Sequence, residues 1–171
     1  MTAPAAVVQL SVSRGGAPKH AVPQAQITAL GLAGDVQHHT RFHGGPSRAV
    51  CLFALEVIEQ LRALGHPIAP GTTGENITIR GLDWPAVVIG SQLRVGDEVA
   101  LEITALTVPC KQIAASFADR DFRRILAPGV SRLYARVLRE GTVRPGDPVE
   151  LAGPSALTGR FTARRERSRR R

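Results

Sequence analysis

Among the residues of this sequence that could do chemistry, Cys110 is the best placed. The stretch Leu106-Thr107-Val108-Pro109-Cys110-Lys111-Gln112-Ile113 puts its thiol where a strand should give way to a helix. A thiol at a helix N-terminus feels the positive end of the peptide dipoles, and Lys111 adds a nearby cation. Both favour thiolate, the form that binds metals or attacks electrophiles. The competing reading is a small buried hydrophobe, which cysteine often is. The second cysteine falls in Ala49-Val50-Cys51-Leu52-Phe53, a buried-looking strand, and reads as core. Two cysteines make no disulfide framework, although a single Cys51–Cys110 bridge stays open on sequence alone.

Other candidates lie in two polar loops. His38, His39 and His43 invite zinc, but they lack a CxxC or HExxH frame, and neighbours 38 and 39 point differently. Asp35 and Glu75 could form an acid/base pair, yet nothing in their spacing brings them together. An anionic ligand is better served. Gly44-Gly45 exposes backbone N–H groups, Ser47 and Thr73 offer hydroxyls, Asn76 an amide, and Arg41 and Arg48 charge. Glycine-rich backbone with arginine is a common answer to phosphate. An ordinary polar loop explains the same composition equally well. No GxGxxG, P-loop or nucleophile-elbow pattern is present.

The elements that must position these groups are short. Val7 to Val12 reads as a first strand, closed by the turn cluster Arg14-Gly15-Gly16-Ala17-Pro18. Gln26 to Leu30 reads as a second, before a long glycine-rich loop from Gly31 to Arg48. Long loops in compact domains tend to carry function or to be disordered. After the Cys51 strand, Leu55, Ile58, Leu61 and Leu64 give an apolar helical stripe ended by Gly65. The second polar loop, His66 to Asn76, leads to a strand over Asn76 to Ile79. Gln92 to Val95 turns through Gly96-Asp97 into Val99 to Val108, where Pro109 stops the ladder. A helical turn over Asp121 to Leu126 and a strand over Leu133 to Leu138 follow. Arg144 to Leu151 then repeats the Gly-Asp turn as hairpin chemistry. Many short strands, glycine turns and few helices predict a mainly β domain. A closed or partly closed barrel with short flanking helices is favoured because it leaves few edges exposed.

At 171 residues, one domain with a real core is the natural expectation. No apolar run approaches the ~20 residues of a membrane span. No basic residue precedes Arg14, so the charged start of a signal peptide is missing and a cytoplasmic protein is expected. The net charge of +8 is concentrated at one end. From Arg160 onward seven arginines face the single Glu166, a surplus of +6 that leaves +2 for the rest. The expected organisation is a domain over residues 1–152 and an Arg-rich, disordered tail over 153–171. Any nucleic-acid contact would come through that tail, as salt-sensitive and sequence-blind attraction.

Three ordered runs carry a resemblance: GLAGDVQHHTRFHGGPSRAVCLF (Gly31 to Phe53), GTTGENITIRGLDW (Gly71 to Trp84) and VPCKQI (Val108 to Ile113). Together they resemble the MOSC domain, named for the C-terminal part of molybdenum cofactor sulfurases, over roughly residues 5 to 152. With no separate N-terminal domain, the chain is most similar to the short, stand-alone bacterial type. The resemblance implies a β-barrel fold and molybdenum cofactor binding, and at family level pyridoxal phosphate binding. It also implies reduction of N-hydroxylated substrates, as by the 6-N-hydroxylaminopurine resistance protein and the amidoxime-reducing component. Cys110 matches the family cysteine that ligates molybdenum or carries sulfur destined for it, and a soft thiolate suits such a metal. Arg48, Ser47, His43, Lys111 and the loop Thr73, Gly74, Glu75 and Asn76 stand where the family is polar, and would hold the pterin and its phosphate.

Three readings result. The first is a molybdenum enzyme that takes oxygen from an N-hydroxylated small molecule, fed by a separate electron-donor reductase because no flavin or iron–sulfur motif is present. The second is a carrier of persulfide sulfur or of the cofactor, without turnover of its own. The third is a binding module whose tail recruits nucleic acid; it requires truncation after Gly153 to abolish a salt-sensitive association, and an unchanged affinity discards it.

Overall fold

The computed structural model describes residues 3–36 and 45–152. His38, His39, Arg41, His43 and Gly44, and the tail expected over 153–171, lie outside the described residues. The chain runs β1 (Ala6–Val12), β2 (His20–Val22), β3 (Ala25–Thr28), β4 (Gly31–Leu32), β5 (Val50–Ala54), α1 (Leu55–Ala63), β6 (Ile77–Arg80) and β7 (Gln92–Val95). It continues through β8 (Val99–Leu106), β9 (Leu133–Arg139), β10 (Gly141–Val143) and β11 (Val149–Ala152). Short 3₁₀ turns cover Pro46–Arg48, Trp84–Ala86, Lys111–Ser116 and Phe122–Ile125.

Eight strands make one sheet in the order β11-β7-β8-β9-β5-β6-β1-β2, and β10-β3-β4 make a second. The large sheet curls far enough for β11, at one end, to meet the start of β1 near the other. Val7 N–H donates to Asp147 O at 2.9 Å, Gly146 N–H to Val7 O at 2.8 Å, and Val149 N–H to Ala5 O at 2.9 Å. These bonds stitch the start of β1 to the approach to β11, so the barrel is partly closed. The single parallel pair, β5 with β6, is joined through α1, the kind of crossover parallel strands require.

Alternation along the strands fills the interior. Leu10, Leu52, Phe53, Ile77, Leu93, Leu101 and Ile103 are all fully buried. β5 is buried at every residue because α1 covers its outer side. The buried stripe of α1 is Val57, Ile58 and Leu61. Leu64, expected on that stripe, is 72 % exposed because the helix ends at Ala63 and Leu64 only caps it. The strand expected to reach Val108 ends at Leu106, and the helix expected after Cys110 is a six-residue 3₁₀ turn. Strands β2, β4 and β10, of two or three residues, carry too little periodicity to be read from the sequence.

The polar loop before β6 is held from inside. Glu75 is fully buried, and its carboxylate accepts from Gly71 N–H at 2.6 Å, Thr73 Oγ1 at 2.8 Å and Thr78 Oγ1 at 3.1 Å. Gly71 has φ +86°, and a Cβ there would lie 2.5 Å from the Lys19 carbonyl oxygen. Gly71→Ala is therefore expected to cost about 1–3 kcal/mol and to lower the Tm by several degrees in thermal unfolding. Gly65→Ala, at φ +93° with open space around it, should cost less. Equal losses would remove the contact with Lys19 as the reason for glycine.

Candidate functional site

Three segments converge at one end of the barrel. They are the Gly15-Gly16-Ala17 turn after β1, the Thr73 to Asn76 loop before β6, and the Val108 to Ile113 segment after β8. Between them lies a cavity of about 380 Å³, within the range of small-molecule sites. Cys110 is half-buried on its wall, with a free thiol. Cys110 adopts extended backbone, φ −136° and ψ 173°, immediately before the 3₁₀ turn. So short a turn aligns few peptide dipoles, and Lys111 is exposed outside the lining. Cys51, read as core, is 6 % exposed in β5, yet it too reaches the cavity wall. Both cysteines are free, so no bridge joins them. Burial pushes the Cys51 thiol above its ordinary value, opposed in part by the positive charge of Arg132.

The other expected site residues divide into three groups. Thr73, Gly74 and Asn76 line the cavity with Cys110. Glu75 is turned away into its own loop. Asn76 is heavily used by the fold: its Oδ1 accepts from Cys51 N–H at 3.0 Å, and its Nδ2 donates to Ser11 O at 3.2 Å and Asp35 Oδ2 at 2.9 Å. Ser47 and Arg48 stand apart from the lining. Ser47 is exposed, its carbonyl accepting from Thr104 Oγ1. The Arg48 guanidinium lies 5.5 Å from the centre of the Tyr134 ring, a cation–π arrangement, and Tyr134 in turn lines the cavity. Asp35 and Glu75 make no hydrogen bond to each other among the described residues; Asp35 instead pairs with Lys19 at 2.5 Å. The described residues contain no group of three His, Cys, Asp or Glu able to hold a metal ion.

Sequence reasoning missed the two cations of the lining, Lys19 and Arg132. Lys19 is neutralised by Asp35, with both side chains almost completely buried. Arg132 is 7 % exposed at the start of β9, and its Nη1 donates to the Thr73 carbonyl. Its Nε is buried with no hydrogen-bond partner, and no ion pair reaches it among the described residues. In sequence, Ser131-Arg132-Leu133 reads as a surface arginine leading a strand; only an arginine between a serine and an apolar run hinted otherwise. The cavity thus offers a soft sulfur ligand at its wall and an uncompensated cation, framed by glycine backbone.

The fold is thus a partly closed β-barrel with a thiol and a buried guanidinium on the wall of one cavity. The chain belongs to the MOSC domain family, whose model matches residues 39–150. That family is associated with the molybdenum cofactor. The chain is 33 % identical to the uncharacterized protein YflK of Bacillus subtilis over 135 residues, covering 77 % of this chain and 61 % of YflK. It is 32 % identical to the protein YiiM of Escherichia coli, covering 73 % of this chain and 58 % of YiiM. A Gibberella moniliformis protein named a reductase is 30 % identical over 129 residues, which cover 72 % of this chain and 23 % of that protein. The chain therefore spans less than two thirds of each of these relatives. Crystal structures of YiiM from Geobacillus stearothermophilus and E. coli share the fold. Their TM-scores are 0.71 and 0.66, each at 24 % identity, over 90 % and 89 % of this chain and 77 % and 71 % of the respective YiiM chains. No helix among the described residues is long and apolar enough to cross a membrane.

The burial of Cys51 and Tyr134 sets the alkaline behaviour. Burial raises both groups above their ordinary values of 9.0 and 10.0. Between those values and the folded ones, the unfolded chain has already released protons that the folded chain retains. Their contribution to stability is complete below about pH 9 and is lost as pH rises further. Denaturant midpoints should fall above pH 9, and Tyr134→Phe should flatten the loss above pH 10. An alkaline limb unchanged by the substitution would show Tyr134 to be indifferent. With a bulky disulfide reagent at pH 8, Cys110 should react at once and Cys51 only on unfolding.

Proposed function

We propose that this protein binds the molybdenum cofactor in the cavity and, with electrons from a separate reductase, reduces N-hydroxylated small molecules. The reading rests on the half-buried Cys110 thiol opening onto a cavity whose wall holds an arginine that has no ion pair among the described residues. The residues fit the group in two respects. Thiolate is a soft ligand of the kind that suits a metal already held by sulfur, and an unpartnered buried Nε suits an anion. Bound there, the cofactor would supply two-electron oxygen-transfer chemistry.

The chain's own part is to bind and orient. Cys110 is the proposed ligand. Thr73, Gly74 and Asn76, which line the cavity, would help hold the group, and Glu75 keeps their loop in place through three donors. Arg48 would act through the Tyr134 ring, while Ser47 and Lys111, both away from the lining, and His43, outside the described residues, remain candidates for the phosphate. The exposed side chains Val36 and Val108 give the cavity apolar lips suited to the ring of a base-like substrate. The relative named a reductase supports reductive chemistry in this family. A cytoplasmic location accords with such an electron supply.

Expression in a host that makes the cofactor provides the test. Wild-type protein should carry near-stoichiometric molybdenum by elemental analysis, and Cys110→Ala should lose most of it. It should also lose reduction of a hydroxylaminopurine by at least about a hundredfold, the scale on which a metal ligand acts. Equal molybdenum in the two proteins would remove Cys110 as the ligand. A persulfide on Cys110 without any reductase activity would assign the carrier role instead.

A further inference from the structure

We infer that Arg132 makes the inner wall of the cavity an oxyanion site, recognising a phosphate or carboxylate group on whatever ligand enters. The inference rests on the cavity being the ligand site, as proposed above, but not on molybdenum. Its basis is charge accounting within one small space. Lys19 has its counter-ion in Asp35 at 2.5 Å. Glu75, the other buried acid nearby, is saturated by the Gly71 N–H and the hydroxyls of Thr73 and Thr78. Arg132 has one hydrogen bond, to the Thr73 carbonyl, and a buried Nε with none. Of the segments outside the described residues, 37–44 contain no carboxylate side chain, and 153–171 contain one, Glu166, among seven arginines.

A guanidinium does not deprotonate to escape this cost, and burying one without a counter-ion costs several kcal/mol. Merely holding one carbonyl would not need that expense, because a neutral amide donor would serve. A guanidinium left with donor capacity matches an oxyanion, which takes parallel N–H bonds from it. Arg132 lines the cavity itself, with Gly74 next to its Nη1.

Cys110 reports on the site without any cofactor. In the full-length protein, the rate of alkylation by anionic iodoacetate is divided by that with neutral iodoacetamide. In each reaction the sulfur–carbon bond forms, iodide leaves, and the thiol proton passes to solvent. The ratio cancels changes in thiol reactivity. It should be at least about five-fold higher in wild type than in Arg132→Met, the scale of about 1 kcal/mol of charge attraction. Millimolar inorganic phosphate should lower the wild-type ratio toward that of the variant if phosphate is the preferred source, and acetate should do so if carboxylate is. Equal ratios in wild type and variant, or no effect of either anion, would overturn the inference. If Arg132→Met does not fold, competition on the wild type alone decides the matter. Anion competition in a protein that never acquires molybdenum would uphold this site and reject the cofactor reading.

Discussion

The cavity depends on the polar clasp formed by Asn76 and Glu75. Asn76 joins the β1 end through Ser11, the β5 backbone through Cys51, and the segment after β4 through Asp35. Its backbone adds Asn76 N–H to Cys51 O at 2.7 Å and Ser11 N–H to Asn76 O at 2.8 Å. Glu75 gathers the preceding turn onto itself. A hydrophobic core alone fixes the curl of a sheet, but it does not specify where a glycine-rich loop stops. Buried hydrogen bonds do, because every unmet partner costs about 1–3 kcal/mol.

From that clasp follows the division of charge. Asp35 is claimed by Asn76, by Ser13 N–H at 2.9 Å and by Lys19, so it has little left to offer other groups. Glu75 is equally occupied. The fold therefore gives away both of its nearby carboxylates and leaves Arg132, which lines the same cavity as Cys110, without an ion pair among the described residues. The same architecture that orders the loop thus makes the cavity positive. Its cost in stability is what a bound anion would relieve.

Much of this was legible in the sequence, and the rest was hidden for definite reasons. Alternation, a short apolar run and turn residues revealed β1, β5, β7, β8 and β9, although β8 ends at Leu106, ahead of the Pro109 expected to stop it. The Thr73 to Asn76 loop was legible as polar and glycine-rich, but not the assignment of its acid to structure. Arg132 was invisible because its importance lies in what does not pair with it, and pairing is settled by residues far away in sequence. Lys19 and Asp35 are sixteen residues apart in unrelated loops, with no periodicity linking them. Arg48 looked the better phosphate partner on sequence, yet a Tyr134 ring 5.5 Å away occupies its guanidinium face.

In the proposed function, the Cys110 sulfur at the barrel mouth and the Arg132 cation belong to a single cofactor site. Crystals of protein loaded with molybdenum, measured at the absorption edge of that element, test it most directly. One anomalous peak is expected at bonding distance from Cys110 Sγ, inside the cavity walled by Thr73 and Arg132. A peak of full occupancy elsewhere on the molecule, with that cavity vacant, would contradict it.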